Sequence, residues 1–93
     1  MPKSFSLILT VPGADAVQFR LSDDRVTLGR DEMSLIALEE KSVSARHCEF
    51  QRTDSGGYRL VDLGSTNGTR VNGQRVMSTD GVILKNGDRI LLA

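Results

Sequence analysis

The sequence predicts an all-β domain, either a sandwich or a barrel, made of many short strands. Its apolar runs are short and alternate hydrophobic with polar residues, as in strands that bury one face. Asn-Gly and Asp-Gly dipeptides separate the runs in the second half of the chain, and Asn-Gly favours two-residue hairpins. Turn signals recur about every 8–12 residues, a spacing typical of all-β folds.

The alternation predicts the strands in chain order. The longer strands cover residues 5–11, 17–21, 25–28, 46–52, 58–63 and 89–92, and shorter apolar pieces lie at 71, 76–77 and 82–84. Residues 31–41 are ambiguous. Met33, Ile36, Ala37 and Glu40 have helical spacing, and Met, Leu, Ala and Glu are good helix formers, which favours a single helical turn. The alternative is a loop with a short strand at residues 35–38.

Composition and charge narrow the function classes. The 93 residues suffice for one domain, which we place at residues 1–93. Basic and acidic residues number 12 each, so the formal net charge is zero, which argues against a nucleic-acid partner. The one cysteine, Cys48, cannot form an internal disulfide, and this favours a cytoplasmic protein. The N-terminus lacks the apolar core of a signal peptide, and no segment reaches the ~20 apolar residues of a membrane span, so we expect no membrane partner.

The sequence contains no complete catalytic constellation, so we expect no enzyme activity, no metal and no cofactor. Ser44 and His47 suggest a nucleophile and a base, but a working pair also needs an orienting partner and an oxyanion hole. His47 and Cys48 are neighbours in a predicted strand and therefore face opposite sides. His47 is the only histidine, which argues against a zinc site. We interpret His47 as a structural residue that hydrogen-bonds nearby loop backbone.

Three segments at strand ends predict an anion-binding site. Arg30 directly follows Gly29 at the end of a strand, and glycine permits close approach of another backbone or a ligand. Arginine suits phosphate because its planar guanidinium binds oxygens in a bidentate fork. Residues 44–47 begin the next long strand. Residues 64–69 form a turn rich in hydroxyls and glycine, whose N–H groups and hydroxyls can be directed at an anion. We expect the three segments to converge on a phosphorylated residue.

The order and spacing of these motifs resemble the forkhead-associated (FHA) domain family. The motifs are Gly29-Arg30, Ser44-x-x-His47, Ser65-Thr66-Asn67-Gly68-Thr69, Val71-Asn72-Gly73 and the closing Leu84-Lys85-Asn86-Gly87-Asp88-Arg89-Ile90. The resemblance implies a two-sheet antiparallel β-sandwich of about ten to eleven short strands, whose loops at one end bind phosphothreonine peptides. It implies that the partner is a phosphothreonine-containing protein, such as a Ser/Thr kinase substrate.

The resemblance also assigns roles to individual residues. Arg30 and Ser44 would contact the phosphate, and Thr66 would add a phosphate contact or shape the pocket for the threonine methyl group. Asn67 would hydrogen-bond the peptide backbone. Gly29, His47 and Gly68 would hold the loop geometry.

The sequence departs from the family pattern after the serine. The position that often donates to the phosphate is Ala45, so its side-chain contact is missing. Arg46 follows one place later, and Lys41 or the Ala45 backbone N–H are the alternatives that would compensate. Ser34-Leu35 stands where the family usually has Asp-Ile. We expect Ser42 and the 64–69 turn, including Ser65, to influence the preference for residues around the phosphothreonine.

The chain ends at Ala93, before the family's last strand would pair with the first. We therefore expect a monomer with an unpaired edge at residues 5–10, through which self-association is possible. Ala45 and the missing strand also suggest an alternative function, a phosphate-independent interaction or assembly domain on the same fold.

Overall fold

A computed structural model describes residues 5–76 and 80–92, and every regular element in these two ranges is a β-strand. The strands are β1 (Phe5–Thr10), β2 (Val17–Leu21), β3 (Arg25–Gly29), β4 (Ile36–Ala37), β5 (Cys48–Arg52), β6 (Tyr58–Asp62), β7 (Arg70–Val71), β8 (Gln74–Arg75), β9 (Val82–Ile83) and β10 (Arg89–Leu91). This confirms the all-β prediction. The apolar piece predicted at 76–77 ends outside the described residues. The described ranges contain no helix that could cross a membrane.

The strands form the two five-stranded sheets of a β-sandwich. One sheet has the order β2-β1-β10-β7-β8 and the other β4-β3-β5-β6-β9. Both sheets are mixed, because β1 pairs with β10 in parallel and β3 pairs with β4 in parallel. The expected two-sheet sandwich is confirmed, but these two pairs are parallel and not antiparallel. Alternation along a strand indicates which face is buried and carries no information on the direction of its neighbour.

The first strand lies inside its sheet, which corrects the expectation of an exposed edge at residues 5–10. On one side β1 pairs with β2, with Phe5 opposite Leu21. On the other side it pairs with β10, with Leu9 opposite Ile90. Self-association through an unpaired first strand is therefore contradicted, because both edges of β1 are already occupied by neighbouring strands.

The ambiguous stretch at 31–41 contains the short strand β4, so the strand alternative was correct and the helical turn was wrong. β4 pairs with the end of β3, with Leu28 opposite Ile36 and Gly29 opposite Ala37. The N–H of Leu38 then donates to the carbonyl of Gly29 at 2.9 Å. Pairing with β3 outweighs the weak helix propensity of so short a segment.

The core between the sheets is filled by alternate side chains of the strands. Leu7, Leu28, Phe50, Leu60 and Ile90 are fully buried. Burying each such side chain contributes about 1.5–3 kcal/mol to folding. Because the core fixes the strands, it also fixes the positions from which the loops leave the sheets.

Hairpin chemistry is as predicted at Asn72-Gly73. These two residues join β7 and β8, and they have φ values of 51° and 85°. Positive φ at both central positions is the requirement of a type I′ turn, and asparagine and glycine tolerate it best.

Candidate functional site

Three loops meet at one end of the sandwich. The loop after β3 is bonded to the loop before β5, since Arg30 N–H donates to Ser44 O at 2.9 Å and Asp31 N–H donates to Ala45 O at 3.1 Å. The loop after β6 joins them, because Thr66 N–H donates to the Ser44 hydroxyl at 2.9 Å. Segments far apart in the sequence thus form one surface.

These loops enclose a shallow cleft of about 240 Å³, here named the recognition cleft. It is lined by Arg30, Lys41, Ser42, Val43, Ser44, Ala45, Thr66 and Asn67. The five residues expected to bind the phosphopeptide (Arg30, Ser44, Ala45, Thr66 and Asn67) all line this cleft. Their individual roles toward a ligand stay predictions.

Gly29 allows the first two loops to approach. A Cβ atom at this position would lie 2.1 Å from the Ala45 carbonyl oxygen and 2.8 Å from its carbon. No side chain can occupy that space without moving the backbone. The close approach predicted for a glycine before Arg30 is therefore an approach to the loop that carries Ser44.

His47 fastens the second loop to the third from inside the fold. It is 0% exposed, and its ring spans Ser44 and Gly68. Ser44 N–H donates to Nδ1 at 3.1 Å, and Nε2 lies 2.7 Å from the Gly68 carbonyl. Because Nδ1 accepts a hydrogen bond, it carries no proton. The ring proton is therefore on Nε2, which donates to the Gly68 carbonyl oxygen.

This geometry argues against catalysis by Ser44 and His47. The lone pair of Nδ1 is taken by the backbone N–H of Ser44, and Nε2 donates to Gly68, so neither nitrogen is free to accept a proton from the Ser44 hydroxyl. The Cys48 thiol is fully buried, and burial, together with the charge of Asp62, raises its pKa well above its usual value. A thiol with a raised pKa is a poor nucleophile.

Asp62 organises the third loop and was not identified as a site residue from the sequence. One carboxylate oxygen accepts the N–H groups of Gly64 and Ser65, both at 3.0 Å. The other accepts the hydroxyls of Ser65 at 2.6 Å and Thr69 at 2.7 Å. An aspartate followed two residues later by glycine is a turn signal, and this was the clue to its role.

The pKa of Asp62 reflects this environment. Burial opposes the charged form, but the hydrogen bonds from Ser65, Thr69 and Gly64 outweigh it and hold the pKa of Asp62 below its usual value. The carboxylate therefore remains ionised near neutral pH and keeps the third loop in one shape.

Two cations face the recognition cleft. Within residues 5–76 and 80–92, neither Arg30 nor Lys41 makes an ion pair, and both are exposed. The N–H of Ala45 donates to no acceptor in the same described ranges. Free cations beside a free N–H group form a surface suited to an anion, and arginine is the side chain best matched to phosphate oxygens.

The hydroxyl and amide groups are oriented by the loops themselves. The Ser44 hydroxyl accepts a bond from Thr66 N–H, so its own proton is available to a ligand oxygen. The Asn67 side chain donates from Nδ2 to Ser42 O at 2.9 Å, and its oxygen accepts no hydrogen bond within the described ranges. Ser42 Oγ is buried and has no partner among the described residues.

Two of the auxiliary residues do not join the recognition cleft. Ser65 turns inward to Asp62 and accepts the N–H of Gly68 at 3.0 Å, so it shapes the loop. Arg46 lines a separate depression with Asp31 and Met33. Arg46 therefore lies outside the recognition cleft, whereas Lys41 and Ala45 line it. Which group replaces the side-chain donor missing at Ala45 stays a prediction.

Comparison with known proteins identifies relatives of this chain. A family model described as the FHA domain matches residues 26–93. The glycogen accumulation regulator GarA of Mycolicibacterium smegmatis is 37% identical over 91 residues, which are 97% of this chain and 55% of GarA. The chain thus spans about half the length of that relative.

Solved structures agree with the family match. EmbR of Mycobacterium tuberculosis, solved in complex with a low-affinity phosphopeptide, is 26% identical with a TM-score of 0.73, and the match covers 94% of this chain and 21% of EmbR. The N-terminal FHA domain of S. cerevisiae Rad53p, solved with a phosphothreonine peptide, is 25% identical with a TM-score of 0.73, and the match covers 94% of this chain and 78% of that domain.

Proposed function

Because this chain belongs to the FHA domain family, we propose that it is a phosphothreonine-peptide binding module that mediates phosphorylation-dependent protein–protein interaction in Ser/Thr kinase signalling. The partner is a protein phosphorylated on threonine. Two relatives in this family were solved with bound peptides, one with a phosphopeptide and one with a phosphothreonine peptide.

The observation that carries the proposal is the grouping of Arg30, Lys41 and the Ser44 hydroxyl around one cleft. A phosphate brings about −1.5 to −2 charges at neutral pH, so it matches two free cations. Arg30 would hold two phosphate oxygens in a fork, and Ser44 would donate its proton to a third. The N–H of Ala45 adds a donor that does not depend on its side chain.

The peptide backbone would be held by Asn67. Its side-chain oxygen is free to accept an N–H from an extended peptide, while its nitrogen remains bound to Ser42 O. Thr66 lies beside it in the cleft and would contact either the phosphate or the threonine methyl group. Gly29, His47 and Gly68 would act indirectly, by keeping the three loops together.

The domain would act as an adaptor. We place it at residues 1–93, in the cytoplasm, with no enzyme activity of its own. GarA is named as a regulator of glycogen accumulation, which supports a regulatory role in which binding to a phosphorylated protein changes that protein's activity or location.

Calorimetric titration with a phosphothreonine peptide selected from a library tests the proposal. We expect Arg30→Ala to weaken binding by about 2–5 kcal/mol, since it removes one partner of a charge pair. Arg59→Ala is the matched control, because Arg59 is exposed on β6 and does not line the recognition cleft. Equal losses in both variants would reject the site assignment.

Ala45 favours one alternative, a phosphate-independent interaction domain, because it removes a side-chain donor from the cleft. The two functions differ in one measurement. A phosphothreonine module binds the phosphorylated peptide and not its dephosphorylated form, whereas the alternative predicts equal affinity for both.

A further inference from the structure

The outer side of the sheet β2-β1-β10-β7-β8 carries an unbalanced group of arginines, and we propose that it docks an acidic surface of a protein partner. We name it the arginine face, and it consists of Arg20, Arg70, Arg75 and Arg89, with Ile8 and Leu91 between them. None of these residues lines the recognition cleft, so the two surfaces are distinct. The inference goes beyond the proposed function and does not depend on phosphothreonine binding.

Arg70 and Arg75 form a like-charge pair on the hairpin of β7 and β8. Val71 is buried in the core, so its neighbour Arg70 faces outward, and Arg75 lies directly opposite Arg70. The Arg75 guanidinium covers the backbone of Gly68, since a Cβ atom at Gly68 would lie 3.1 Å from Nε and 3.3 Å from Cζ. Like charges directly opposite each other destabilise a strand pair. A carboxylate bound between the two guanidinium groups would remove this repulsion.

Arg89 and Arg20 extend the positive surface along the same sheet. Their neighbours Ile90 and Leu21 are buried, so both arginines face outward, and both are exposed. Arg89 is a diagonal neighbour of Arg70, about 7–8 Å away. From β2 to β8 there are four strand spacings of about 4.8 Å, so the arginine face is about 19 Å wide.

The arginine face lacks the carboxylates that balance the other sheet. Its five strands, all within the described residues, contain no aspartate or glutamate, and none of its arginines makes an ion pair in the part of the chain that the structure describes. On the other sheet, Arg25 pairs with Glu49 at 3.0 Å and Arg52 pairs with Asp24 at 3.4 Å. The formal net charge of the chain is zero, so the face is a local excess of positive charge.

Asp88 directly precedes β10, but its carboxylate is used by the turn that it belongs to. One oxygen accepts a hydrogen bond from Asn72 Nδ2 at 3.0 Å, and the other accepts the N–H of Lys85 at 2.7 Å. The arginines are therefore left to bind carboxylates from outside the chain. The planar guanidinium suits them, because it binds both oxygens of a carboxylate at once.

The composition of the arginine face favours a protein over a nucleic acid or a membrane. Ile8 and Leu91 are half-buried between the arginines, and arginine next to apolar surface is typical of protein–protein interfaces. The phenylalanine and tyrosine side chains of the described ranges are all buried or half-buried, so nucleic-acid bases find no aromatic ring to stack on. Insertion into a membrane surface needs protruding apolar side chains, which this face does not present.

Fluorescence anisotropy with labelled hexaglutamate, which spans about 20 Å when extended, tests the proposal. At about 50 mM salt, where surface charges are weakly screened, we expect wild-type protein to bind this probe. Replacing Arg70→Gln and Arg89→Gln together should weaken binding about tenfold, since two charge pairs are lost. Both side chains are exposed, so the double variant should fold, which urea denaturation checks. Its affinity for a phosphothreonine peptide should not change, because neither residue lines the recognition cleft.

A matched control replaces Arg25→Gln and Arg59→Gln, two exposed arginines on the outer side of the other sheet, and it should leave hexaglutamate binding unchanged. Equal losses in the two double variants would overturn the proposal. Loss of hexaglutamate binding in Arg30→Ala would also overturn it, because the probe would then occupy the recognition cleft.

Two further probes test the class of partner. Tighter binding to hexauridylate, or to phosphatidylserine vesicles at the same concentration of charge, than to hexaglutamate would overturn the choice of a protein partner. Failure of the wild-type protein to bind any phosphothreonine peptide would overturn the proposed function alone, whereas failure to bind hexaglutamate would overturn this inference alone.

Discussion

Replacing Asp62 by asparagine tests whether one buried carboxylate sets the shape of the third loop. Asp62 accepts four hydrogen bonds, two on each oxygen, from Gly64, Ser65 and Thr69. Asparagine keeps one oxygen and places an NH₂ group where the other was. The amide fits best with its oxygen toward the two backbone N–H groups and its NH₂ toward the two hydroxyls, which can rotate to accept.

The expected decrease in the free energy of unfolding follows from the loss of negative charge at residue 62. Hydrogen bonds to a charged acceptor contribute about 1.5–3 kcal/mol each and neutral ones about 0.5–1.5 kcal/mol. If the four reformed bonds were independent, these figures would give a loss of about 4–6 kcal/mol. Because bonds to one carboxylate are not additive, we expect Asp62→Asn to lower the free energy of unfolding by about 2–4 kcal/mol. That is a large share of the roughly 5–15 kcal/mol that stabilises a typical domain.

Urea denaturation at pH 7 measures this difference. Asp54→Asn is the control, because Asp54 is exposed in the turn after β5 and makes no side-chain hydrogen bond among the described residues. We expect Asp54→Asn to change the free energy of unfolding by less than about 0.5 kcal/mol, as is usual for surface changes. If Asp62→Asn lowers the free energy of unfolding no more than Asp54→Asn does, the reasoning is refuted.

The pH dependence of the free energy of unfolding, compared between wild type and Asp62→Asn, gives a second, independent check. The pKa of Asp62 is lowered in the folded protein, so its contribution is fully present above the unfolded value of about 3.9 and is lost as the pH falls through the folded value. The difference in stability between wild type and Asp62→Asn should therefore be constant from pH 7 to about pH 5 and shrink below about pH 4. A difference that grows on acidification would contradict the assignment.

Two further substitutions test the contacts between loops. Gly29→Ala places a methyl group 2.1 Å from the Ala45 carbonyl oxygen. We therefore expect the free energy of unfolding to fall by about 1–3 kcal/mol in urea denaturation, and phosphothreonine-peptide affinity to weaken in calorimetry. Unchanged affinity would mean that binding does not require the two loops to touch. His47→Ala removes a fully buried ring and leaves Ser44 N–H and Gly68 O without partners, so we expect about 3–5 kcal/mol less stability, measured by thermal or urea unfolding. A loss below about 1 kcal/mol there would show that the ring does not fasten the loops.

Much of the recognition cleft was predictable because its residue types at strand ends and in one turn are distinctive. Glycine before arginine at a strand end, and a turn rich in hydroxyls, indicate close approach and anion binding without any knowledge of the fold. The structure brings Arg30, Ser44 and Thr66 around one cleft, as expected. Alternation also located the longer strands, since it follows from burial of one face.

The remaining features depend on contacts that are distant in the sequence. The parallel pairing of β1 with β10 joins strands from opposite ends of the described chain, and no local pattern reveals strand direction. The direction of the Arg46 side chain was equally hidden, because β5 begins only at Cys48 and the residues before it do not alternate as a strand. Asp62 was read as one more residue of an alternating strand, although its side chain serves the loop that follows.

The central claim is that three loops form a single site for phosphothreonine, and a titration followed by ¹H–¹⁵N NMR tests it most directly. Adding a phosphothreonine peptide should shift the backbone amides of Arg30, Ser44, Ala45, Thr66 and Asn67 together, at one common affinity, while the same peptide without phosphate leaves them unchanged. Shifts confined to one of the three loops, or equal shifts with the unphosphorylated peptide, would contradict the account.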